Sequence, residues 1–493
     1  MFSKILIANR GEIAVRVIQA CQEMGIKTVA VFSEADRQAL HVIRADEAVF
    51  IGAAPATESY LNMDRILAAA RQSGAEAIHP GYGFLSENAD FAQACADAGI
   101  TFIGPSPESI RLMGNKIAAK STMERAGVPV VPGYYGTDQS IEKFVAEADK
   151  IGYPVMVKAA AGGGGKGMRI VHDPAELADA VDGAKREALN AFGDDAIFLE
   201  KYIVNPRHIE FQIIADQHGN TFHLFERECS IQRRHQKVLE ETPSTALTPE
   251  KRAEMGQIAI QAANAVNYYN AGTVEFVYGE DGSYYFLEMN TRLQVEHCVT
   301  EQTTRIDLVY LQILVADGQP LPFQQEQVIQ RGHAIEVRIY AEDAENNFLP
   351  STGVLHLFIP PEGIHIRNDI GIRAGMEVTP YYDPMMAKLT VYGMTREICI
   401  ERLKWALDHY IISGVKHNIP FLRAVVDHPA FHSGETTTDF IARHFENWQA
   451  KPPELTDEVL ITAVIGELYR DTSVVHSGDV SEEGDVYSPW KAF

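Results

Sequence analysis

The first 130 residues alternate short apolar runs with longer amphipathic stretches. The apolar runs are Lys4–Ala8, Thr28–Phe32 and Ala77–His79, and the stretches between them, 12–24 and 60–72, have helical spacing. This strand, helix, strand rhythm is typical of a parallel sheet whose strands are joined by crossover helices. We therefore expect an α/β domain at the N-terminus.

Two turns follow strands of this predicted sheet. Asn9-Arg10-Gly11 follows the first strand and lacks the G-x-G-x-x-G spacing of a dinucleotide-binding loop, which disfavours a nicotinamide enzyme. The Gly- and Pro-rich stretch His79–Phe84 follows the last strand. Ligands gather at the carboxyl ends of strands in open parallel sheets, so this turn is a candidate ligand site. A purely structural turn is the alternative.

The pattern changes at Gly127–Gly133, where two prolines and two glycines cannot extend a helix. Closely spaced strands between 151 and 300 then indicate an antiparallel α+β domain. A third unit begins near Arg331, with strands at 333–341 and 386–392 and a helix at 396–410. The predicted domains are 1–130, 131–330 and 331–445, followed by a tail at 446–493.

The tail contains a linker at Lys451-Pro452-Pro453 and a predicted helix at 455–470. An apolar stripe follows one side of this helix and contains Val459, Leu460, Ala463, Val464 and Leu468. Such a stripe needs a surface to cover. Packing onto the chain's own domain and docking on a partner subunit both remain open.

Charge and cysteine usage exclude several classes of protein. The 493 residues carry a net charge of −24, which repels nucleic acids and anionic membranes. No apolar run reaches the roughly 18 to 20 residues that span a bilayer, and the N-terminus leads into a strand without an export signal. The five cysteines lack metal-binding spacing. We expect a cytoplasmic protein that acts on small molecules.

A glycine run at 162–167 follows a strand that ends near Lys158. Consecutive glycines permit backbone conformations that other residues avoid, which suits a flap whose N–H groups close over phosphates. The run lacks the spacing of a Walker A loop. A buried lysine without a counter-anion is costly, so Lys158 favours the phosphate hypothesis over a merely flexible connector.

Two glutamates are predicted to face each other across a β-hairpin. If Asp281 and Gly282 form a two-residue turn, Glu275 lies opposite Glu288, and Phe276 pairs with Leu287 on the core side. Like charges opposed in a ladder are destabilising unless cations lie between them. Hard oxygen ligands on a rigid sheet suit Mg²⁺ that accompanies nucleotide phosphates. Two solvated surface glutamates are the alternative.

Alternating polar residues continue from this hairpin. On an extended strand one face would present Glu288, Asn290, Arg292, Gln294 and Glu296. These side chains offer two metal ligands, a guanidinium that binds anions, an amide and a carboxylate available as a base. An ordinary solvent-exposed strand face without a ligand is the alternative.

Three further segments are weaker candidates. The stretch 229–237 is a dense basic cluster that suits phosphate or carboxylate oxygens, although a solvated loop or a docking patch has the same composition. The strand end Glu200–Ile203 could present backbone groups to an adenine ring. In 332–340, alternation places Glu336 and Arg338 on one face, and pairing of Arg338 with a surface carboxylate is the plain structural alternative to a role in the site.

Together these motifs resemble biotin carboxylase, the ATP-grasp component of biotin-dependent carboxylases. The resemblance spans residues 1 to about 445 and is carried by Ile7–Ala14, His79–Asn88, the glycine run, Gln232–Lys237, Phe286–His297 and Arg331–Ala334. It implies a Rossmann-like N-terminal domain at 1–130, an ATP-grasp domain with a glycine flap at 131–330 and a biotin carboxylase C-terminal domain at 331–445.

The resemblance also implies a reaction. ATP would phosphorylate bicarbonate to carboxyphosphate, and a biotin ureido nitrogen would then take the carboxyl group. The nucleotide-binding residues would be Lys116, Lys158, Gly164, Gly165, Glu200, Lys201, Ile203, His208, Gln232 and His235. The ligands of Mg²⁺ or Mn²⁺ would be Glu275, Glu288 and Asn290.

For the second substrate, the resemblance implies that bicarbonate binds Lys237, Arg292, Gln294 and the backbone of Val295. Glu296 would remove its proton, and Arg338 would stabilise the charge on the biotin ureido oxygen. The implied catalytic residues are thus Lys237, Arg292, Glu296 and Arg338.

The chain departs from the family pattern at two positions beyond the catalytic segment. Cys298 stands where the family usually has proline, and Arg305 where it commonly has glycine. The tail contains no Met-Lys-Met biotin-attachment sequence, so we expect biotin on a separate carrier protein, with a carboxyltransferase subunit as a further partner and a homodimer as the assembly. An ATP-grasp ligase with another acceptor and a non-catalytic nucleotide-binding subunit are the alternatives.

Overall fold

The computed structural model describes residues 1–160, 168–234, 236–451 and 457–472. The described residues divide into a compact unit that ends at Trp448 and a second unit that begins at Gln449. The predicted glycine run and His235 lie outside the described residues. Within the described ranges, no helix combines the length and the apolar character needed to cross a membrane.

The N-terminal region forms a five-stranded parallel sheet in the order β3-β2-β1-β4-β5. Helices connect the strands, as the alternating pattern predicts. The elements are β1 (Lys4–Ile7), α1 (Gly11–Glu23), β2 (Lys27–Ser33), α2 (Leu40–Arg44), β3 (Glu47–Gly52), α3 (Met63–Ser73), β4 (Ala77–His79), α4 (Ala89–Asp97), β5 (Thr101–Phe102), α5 (Pro107–Gly114) and α6 (Lys116–Arg125).

The turns after β1 and β4 are tied to each other. Asn9 Nδ2 donates to the carbonyls of Pro80 and Tyr82 at 2.7 and 2.8 Å. Gly81 between them has a φ of 63°, a conformation that favours glycine. These bonds give the 79–84 turn a structural role at the carboxyl end of the sheet.

A four-stranded antiparallel sheet follows, in the order β6-β9-β7-β8. Two helices pack their apolar faces on it, with Phe144, Leu177 and Val181 in the shared core. The elements are β6 (Gly133–Tyr134), α7 (Ile141–Ile151), β7 (Val155–Ala159), β8 (Arg169–Val171), α8 (Leu177–Phe192) and β9 (Ile197–Lys201).

The largest sheet has eight antiparallel strands and runs from residue 207 to residue 393 of the chain. Its elements, with the helices and short strands around them, are β10 (Arg207–Ala215), β11 (Thr221–Arg233), β12 (Gln236–Thr242), α9 (Pro249–Asn264), β13 (Asn270–Tyr278), β14 (Tyr284–Asn290), α10 (His297–Thr304), α11 (Leu308–Ala316), β15 (His333–Tyr340), β16 (Glu342–Asp343), β17 (Leu349–Pro350), β18 (Gly353–Val354), β19 (Leu357–Ile359), β20 (Ile366–Ile370), β21 (Glu377–Val378), β22 (Met385–Gly393), α12 (Arg396–Asp408), β23 (Ile411–Ser413), α13 (Ile419–Asp427), α14 (Pro429–His432) and α15 (Phe440–His444).

The strand order in this sheet is β14-β13-β10-β11-β12-β15-β22-β20. Strands β12 and β15 are paired through Leu239 and Val337, so the sheet is continuous across residue 330. On β15 the apolar residues Ile335, Val337 and Ile339 enter one core, as alternation predicts, which leaves Arg338 on the opposite face. One rigid sheet therefore carries side chains that are far apart in sequence.

The second unit contains α16 (Asp457–Thr472), which confirms the predicted helix. Leu460 and Val464 of the predicted stripe are exposed, and Ile461 and Ile465 beside them are exposed as well. The side chains of Val459 and Leu468 lie outside the described part of the chain.

Candidate active site

A cavity of about 840 Å³ lies over one face of the eight-stranded sheet and extends to β7 and β9. Most of the site residues that the sequence predicts line it. They are Lys116, Lys158, Glu200, Lys201, Ile203, His208, Gln232, Lys237, Glu275, Glu288, Asn290, Arg292, Gln294, Val295 and Arg338. Gly164, Gly165 and His235 lie outside the described residues.

Glu275 and Glu288 are in register across β13 and β14, which confirms the predicted pairing. The predicted turn and the core pair are wrong. The loop closes from Gly279 N to Ser283 O at 2.8 Å, and Phe276 pairs with Phe286 rather than with Leu287. A bulge beside Glu275 absorbs the extra residue of β14, because a bulge sets two residues of one strand against one residue of the other.

The two facing carboxylates have different surroundings. Asn290 Nδ2 donates to Glu275 Oε1 at 2.8 Å, Lys237 Nζ donates to the same oxygen at 2.9 Å, and His208 Nε2 lies 3.1 Å from Oε2. Burial acts to raise the pKa of Glu275, but Lys237 and His208 outweigh it and lower that pKa. Desolvation in the cleft and the facing Glu275 raise the pKa of Glu288.

This donor set fits a hard divalent cation. Glu275, Glu288 and the Asn290 amide supply oxygen atoms on one rigid hairpin, and oxygen ligands are those that Mg²⁺ prefers. Within the part of the chain that the structure describes, the Glu288 carboxylate makes no hydrogen bond or ion pair, although it faces the cavity and Glu275. An unpaired carboxylate beside a second one is an arrangement that a cation stabilises.

The predicted extended strand through Glu296 is wrong, because β14 ends at Asn290. Residues 291–296 form a loop in which Leu293 is buried in the core beneath the N-terminal sheet, and Glu296 precedes the first residue of α10. The loop nevertheless turns Arg292 and Gln294 toward the cavity, and it adds Val295 to its lining.

Glu296 does not line the cavity itself: its fully buried carboxylate lies between two cations that do, Lys237 and Arg338. Lys237 Nζ donates to Glu296 Oε1 at 2.6 Å, and Arg338 Nη2 donates to Glu296 Oε2 at 3.0 Å. Burial acts to raise the pKa of Glu296, but Lys237, Arg338 and Arg227 together outweigh it and lower that pKa. The carboxylate is therefore ionised at neutral pH.

The basic cluster at 229–237 forms the tip of the β11–β12 hairpin. Gln232 and Lys237 are paired in register and both face the cavity. Arg234 also lines the cavity and donates to Asn347 at 3.0 Å, whereas Arg233 lies 4.2 Å over the Phe348 ring. Only part of the predicted cluster therefore turns its side chains to the site.

Lys158 has a counter-anion, as its place in the sequence requires. Its ammonium contacts Glu200, which also receives hydrogen bonds from Tyr135 and pairs with the buried Lys120. Burial and the nearby Lys116 lower the pKa of Lys158 to about 8. Burial also lowers the pKa of Lys120 to about 6.

Arg338 and Arg292 both line the cavity. Arg338 Nε donates to Glu240 at 2.7 Å, so its partners are buried carboxylates rather than a surface acid. Arg292 Nε donates to Glu87 at 2.8 Å, and its Nη1 donates to Gln294 at 3.0 Å. Both guanidinium groups are therefore oriented by carboxylates.

Sequence reasoning missed several partners in the site, namely Glu87, Lys120, Glu210, Arg227 and Glu240. Glu210 accepts from Lys237 at 2.5 Å and from Arg227 at 2.6 Å, and it lies opposite Glu275 on β10. Its position two residues after His208 on the same strand was an available signal.

The two departures from the family pattern both lie in α10 or at its end. Cys298 is buried, with its Sγ 3.1 Å from Asp369 Oδ2. Arg305 follows the helix with a φ of 61°, a left-handed conformation that favours glycine. Its guanidinium lies 4.8 Å from the Tyr392 ring centroid.

Three protein-family models match the chain. Residues 1–110 match the biotin carboxylase N-terminal domain, residues 115–324 the ATP-binding domain of the carbamoyl-phosphate synthase L chain, and residues 336–443 the biotin carboxylase C-terminal domain. The matches follow the chain in the order that the sequence motifs predict.

Two relatives align with most of the chain. The biotin carboxylase of Halalkalibacterium halodurans is 55% identical over 446 residues, which are 90% of this chain and 98% of the relative. The mitochondrial methylcrotonoyl-CoA carboxylase subunit alpha of Dictyostelium discoideum is 51% identical over 491 residues, which are 99% of this chain and 70% of the relative.

Solved structures agree with this similarity. The biotin carboxylase domain dimer of Hydrogenobacter thermophilus 2-oxoglutarate carboxylase, in complex with MgADP, ADP and bicarbonate, has a TM-score of 0.87 and 49% identity. That match covers 92% of this chain and 100% of the other. The Campylobacter jejuni biotin carboxylase has a TM-score of 0.86 and 48% identity, and covers 90% of this chain and 99% of the other. The chain therefore belongs to the biotin carboxylase family of ATP-dependent ligases.

Proposed function

We propose that this chain carboxylates biotin held on a separate carrier protein, with ATP and bicarbonate as the other substrates and carboxyphosphate as the intermediate. The observation that carries the proposal is the position of Glu296, an ionised carboxylate held between Lys237 and Arg338, two residues that line the cavity. A base, a bicarbonate ligand and a guanidinium for the biotin oxygen thus meet at one point, close to the paired carboxylates on β13 and β14.

ATP occupies the part of the cavity between the two antiparallel sheets. Its phosphates bind Lys116, Lys158 and the glycine-run residues Gly164 and Gly165. Glu200, Lys201 and Ile203 hold the adenine, and His208, Gln232 and His235 complete the site. Support comes from the position of the described members around one cavity and from a protonated Lys158 below pH 8.

Glu275, Glu288 and Asn290 hold Mg²⁺ or Mn²⁺. When bound, the cation neutralises charge on the transferring phosphoryl group. Lys237, which contacts Glu275 at 2.9 Å, links this ligand set to the bicarbonate site.

Bicarbonate binds Lys237, Arg292, Gln294 and the N–H of Val295. Glu296 accepts its proton, which leaves a dianionic oxygen nucleophile beside the Lys237 ammonium. Arg338 then stabilises the charge that develops on the ureido oxygen of biotin when its nitrogen loses a proton. The planar guanidinium fixes direction as well as charge, which a lysine does not.

The chain acts with a biotin carboxyl carrier protein or domain, a carboxyltransferase subunit and a second copy of itself. Support comes from relatives named as alpha subunits of acyl-CoA carboxylases and from the dimer described for one solved relative. We place the domain borders at 130, 330 and 445; the family-model matches change at 110–115 and at 324–336 and end at 443. The five free cysteines suit a reducing compartment such as the cytoplasm.

The test is ADP formation by the purified chain with and without bicarbonate and free biotin. We expect ADP formation that requires bicarbonate and increases with biotin. ADP formation that requires an amine or ammonia instead would favour an ATP-grasp ligase with another acceptor. ATP binding without any bicarbonate-dependent turnover would favour a non-catalytic nucleotide-binding subunit.

A further inference from the structure

Two buried side chains hold the backbone on either side of Val295 from behind the cavity wall. Lys388 Nζ donates to the Val295 carbonyl at 2.7 Å, and His297 Nδ1 lies 2.8 Å from the Gln294 carbonyl oxygen. Lys388 and His297 are both 0% exposed. A carbonyl oxygen only accepts hydrogen bonds, so Nδ1 of His297 carries the proton.

The His297 side-chain contact, together with a longer bond of 3.4 Å from the His297 backbone N–H to the same carbonyl, fixes where the Val295 N–H points. The Gln294 carbonyl and the Val295 N–H belong to one planar peptide unit and point in opposite directions. Val295 lines the cavity, and its N–H has no acceptor among the residues that the structure describes. Holding the Gln294 carbonyl back against His297 therefore aims this N–H away from the protein interior.

The Lys388 contact fixes the next peptide unit, which leads into Glu296. Lys388 is itself held by Cys298 Sγ at 3.2 Å and by Glu12 and Asp369, each at 3.6 Å. Arg367 donates twice to Asp369, at 2.7 and 2.9 Å. Side chains from α1, α10, β20 and β22 thus brace a single backbone segment.

We propose that His297 and Lys388 are positioning residues for the bicarbonate site, acting through the Gln294 and Val295 carbonyls. The inference rests on the proposed function. Neither side chain lines the cavity or reaches a phosphate-binding residue, so they orient the one backbone N–H of the site without contacting substrate. Their loss weakens bicarbonate binding and leaves nucleotide binding intact.

Two substitutions of His297 form a matched pair. An asparagine amide reaches the place of Nδ1, whereas a glutamine amide reaches the place of Nε2. We expect His297→Gln to raise the KM for bicarbonate by about five- to tenfold, in line with one lost hydrogen bond. The KM for ATP stays within about twofold of the unmodified protein because one hydrogen bond remote from the nucleotide is changed. His297→Asn keeps the hydrogen bond to the Gln294 carbonyl, so its KM for bicarbonate stays close to that of the unmodified protein.

A second variant tests the other contact. Lys388→Met keeps the chain length and removes the charged donor, and we expect a rise of about tenfold or more in the KM for bicarbonate. Lys416→Met, at an exposed lysine paired with Asp343, is the control and leaves both KM values unchanged. If Lys388→Met does not fold, the comparison of His297→Gln with His297→Asn tests the inference by itself.

The inference is overturned if the two His297 variants behave alike, or if the KM values for bicarbonate and ATP rise in parallel. Unmodified protein without bicarbonate-dependent ADP formation overturns the proposed function, and this inference with it. Bicarbonate-dependent turnover in the unmodified protein together with an unchanged KM in His297→Gln overturns the inference alone.

Discussion

Lys237 Nζ lies 2.6 Å from Glu296 Oε1 and also contacts Glu210 and Glu275 at 2.5 and 2.9 Å. Burial acts to lower the pKa of Lys237, but the three carboxylates outweigh it and hold that pKa well above its usual range. The same ammonium lowers the pKa of Glu296 against the effect of burial. Lys237 and Glu296 are thus both charged at neutral pH; Lys237 also lies beside Glu275, and Glu296 beside Arg338.

The base assignment predicts a specific kinetic defect. Glu296→Gln keeps the size of the side chain and removes its capacity to accept the bicarbonate proton. We expect ADP formation to fall by about two to four orders of magnitude while ATP affinity stays nearly intact. Steady-state ADP release and nucleotide titration measure the two effects. Unchanged turnover would remove Glu296 from this role.

The role of Arg338 predicts that the two partial reactions separate. In Arg338→Ala, carboxybiotin formation should fall by more than bicarbonate-dependent ATP cleavage, because the guanidinium acts after the nucleotide has reacted. Arg338→Lys should recover only part of the loss, since a lysine lacks the planar fork. Both reactions are followed in the same samples. An equal loss of both would contradict the assignment.

The metal hypothesis can be tested within one hairpin. We expect Glu288→Gln to raise the Mg²⁺ concentration needed for half-maximal turnover by about tenfold or more, because a charged oxygen ligand is lost. Glu280→Gln, in the exposed turn of the same hairpin, is the matched control and should leave this concentration unchanged. A similar metal requirement in both variants would count against Glu288 as a ligand.

Lys158 predicts how nucleotide binding depends on pH. Burial and Lys116 lower the pKa of Lys158 to about 8, so the ammonium is charged below that pH and neutral above it. Affinity for ADP should therefore fall as the pH rises through about 8. Lys158→Arg keeps its charge throughout this range and should lose the dependence. Calorimetric titration with ADP across this pH range measures the affinity. The same decline in Lys158→Arg would show that a group other than Lys158 causes the pH dependence.

Arg227 predicts a large effect on stability. Its fully buried guanidinium donates to Glu210 at 2.6 Å and to Gln212 at 2.7 Å. Arg227→Met leaves the Glu210 carboxylate without this partner, which should lower the free energy of unfolding by about 3–5 kcal/mol. Denaturant unfolding of the full chain measures the change. A loss below about 1 kcal/mol, the range of an exposed ion pair, would contradict this account.

Local patterns were enough to predict much of the fold. The alternating rhythm of residues 4–79 predicted the parallel sheet, and the period-two pattern of 333–341 predicted the strand that carries Arg338. The pairing of β12 with β15 was not predictable in this way, because it joins residues about a hundred positions apart. The strand β12 itself was not predicted, because its first residues belong to the basic cluster, which has no strand-like apolar alternation.

Predictions about the site succeeded where two residues share a hairpin and failed where tertiary contacts decide. The pairing of Glu275 with Glu288 followed from turn spacing, but the bulge beside it depends on how Phe276 and Phe286 pack in the core. The loop at 291–296 escaped prediction because its polar alternation is the same as that of a strand. Buried Leu293 and the start of α10 end the extended conformation.

The most direct test of the proposed reaction is transfer of radiolabelled bicarbonate to free biotin. The account predicts that biotin becomes labelled only when ATP and Mg²⁺ are both present, with one ADP released for each label transferred at saturating biotin, and that Glu296→Gln transfers almost none. Release of ADP at the same rate without bicarbonate, with biotin left unlabelled, would contradict it.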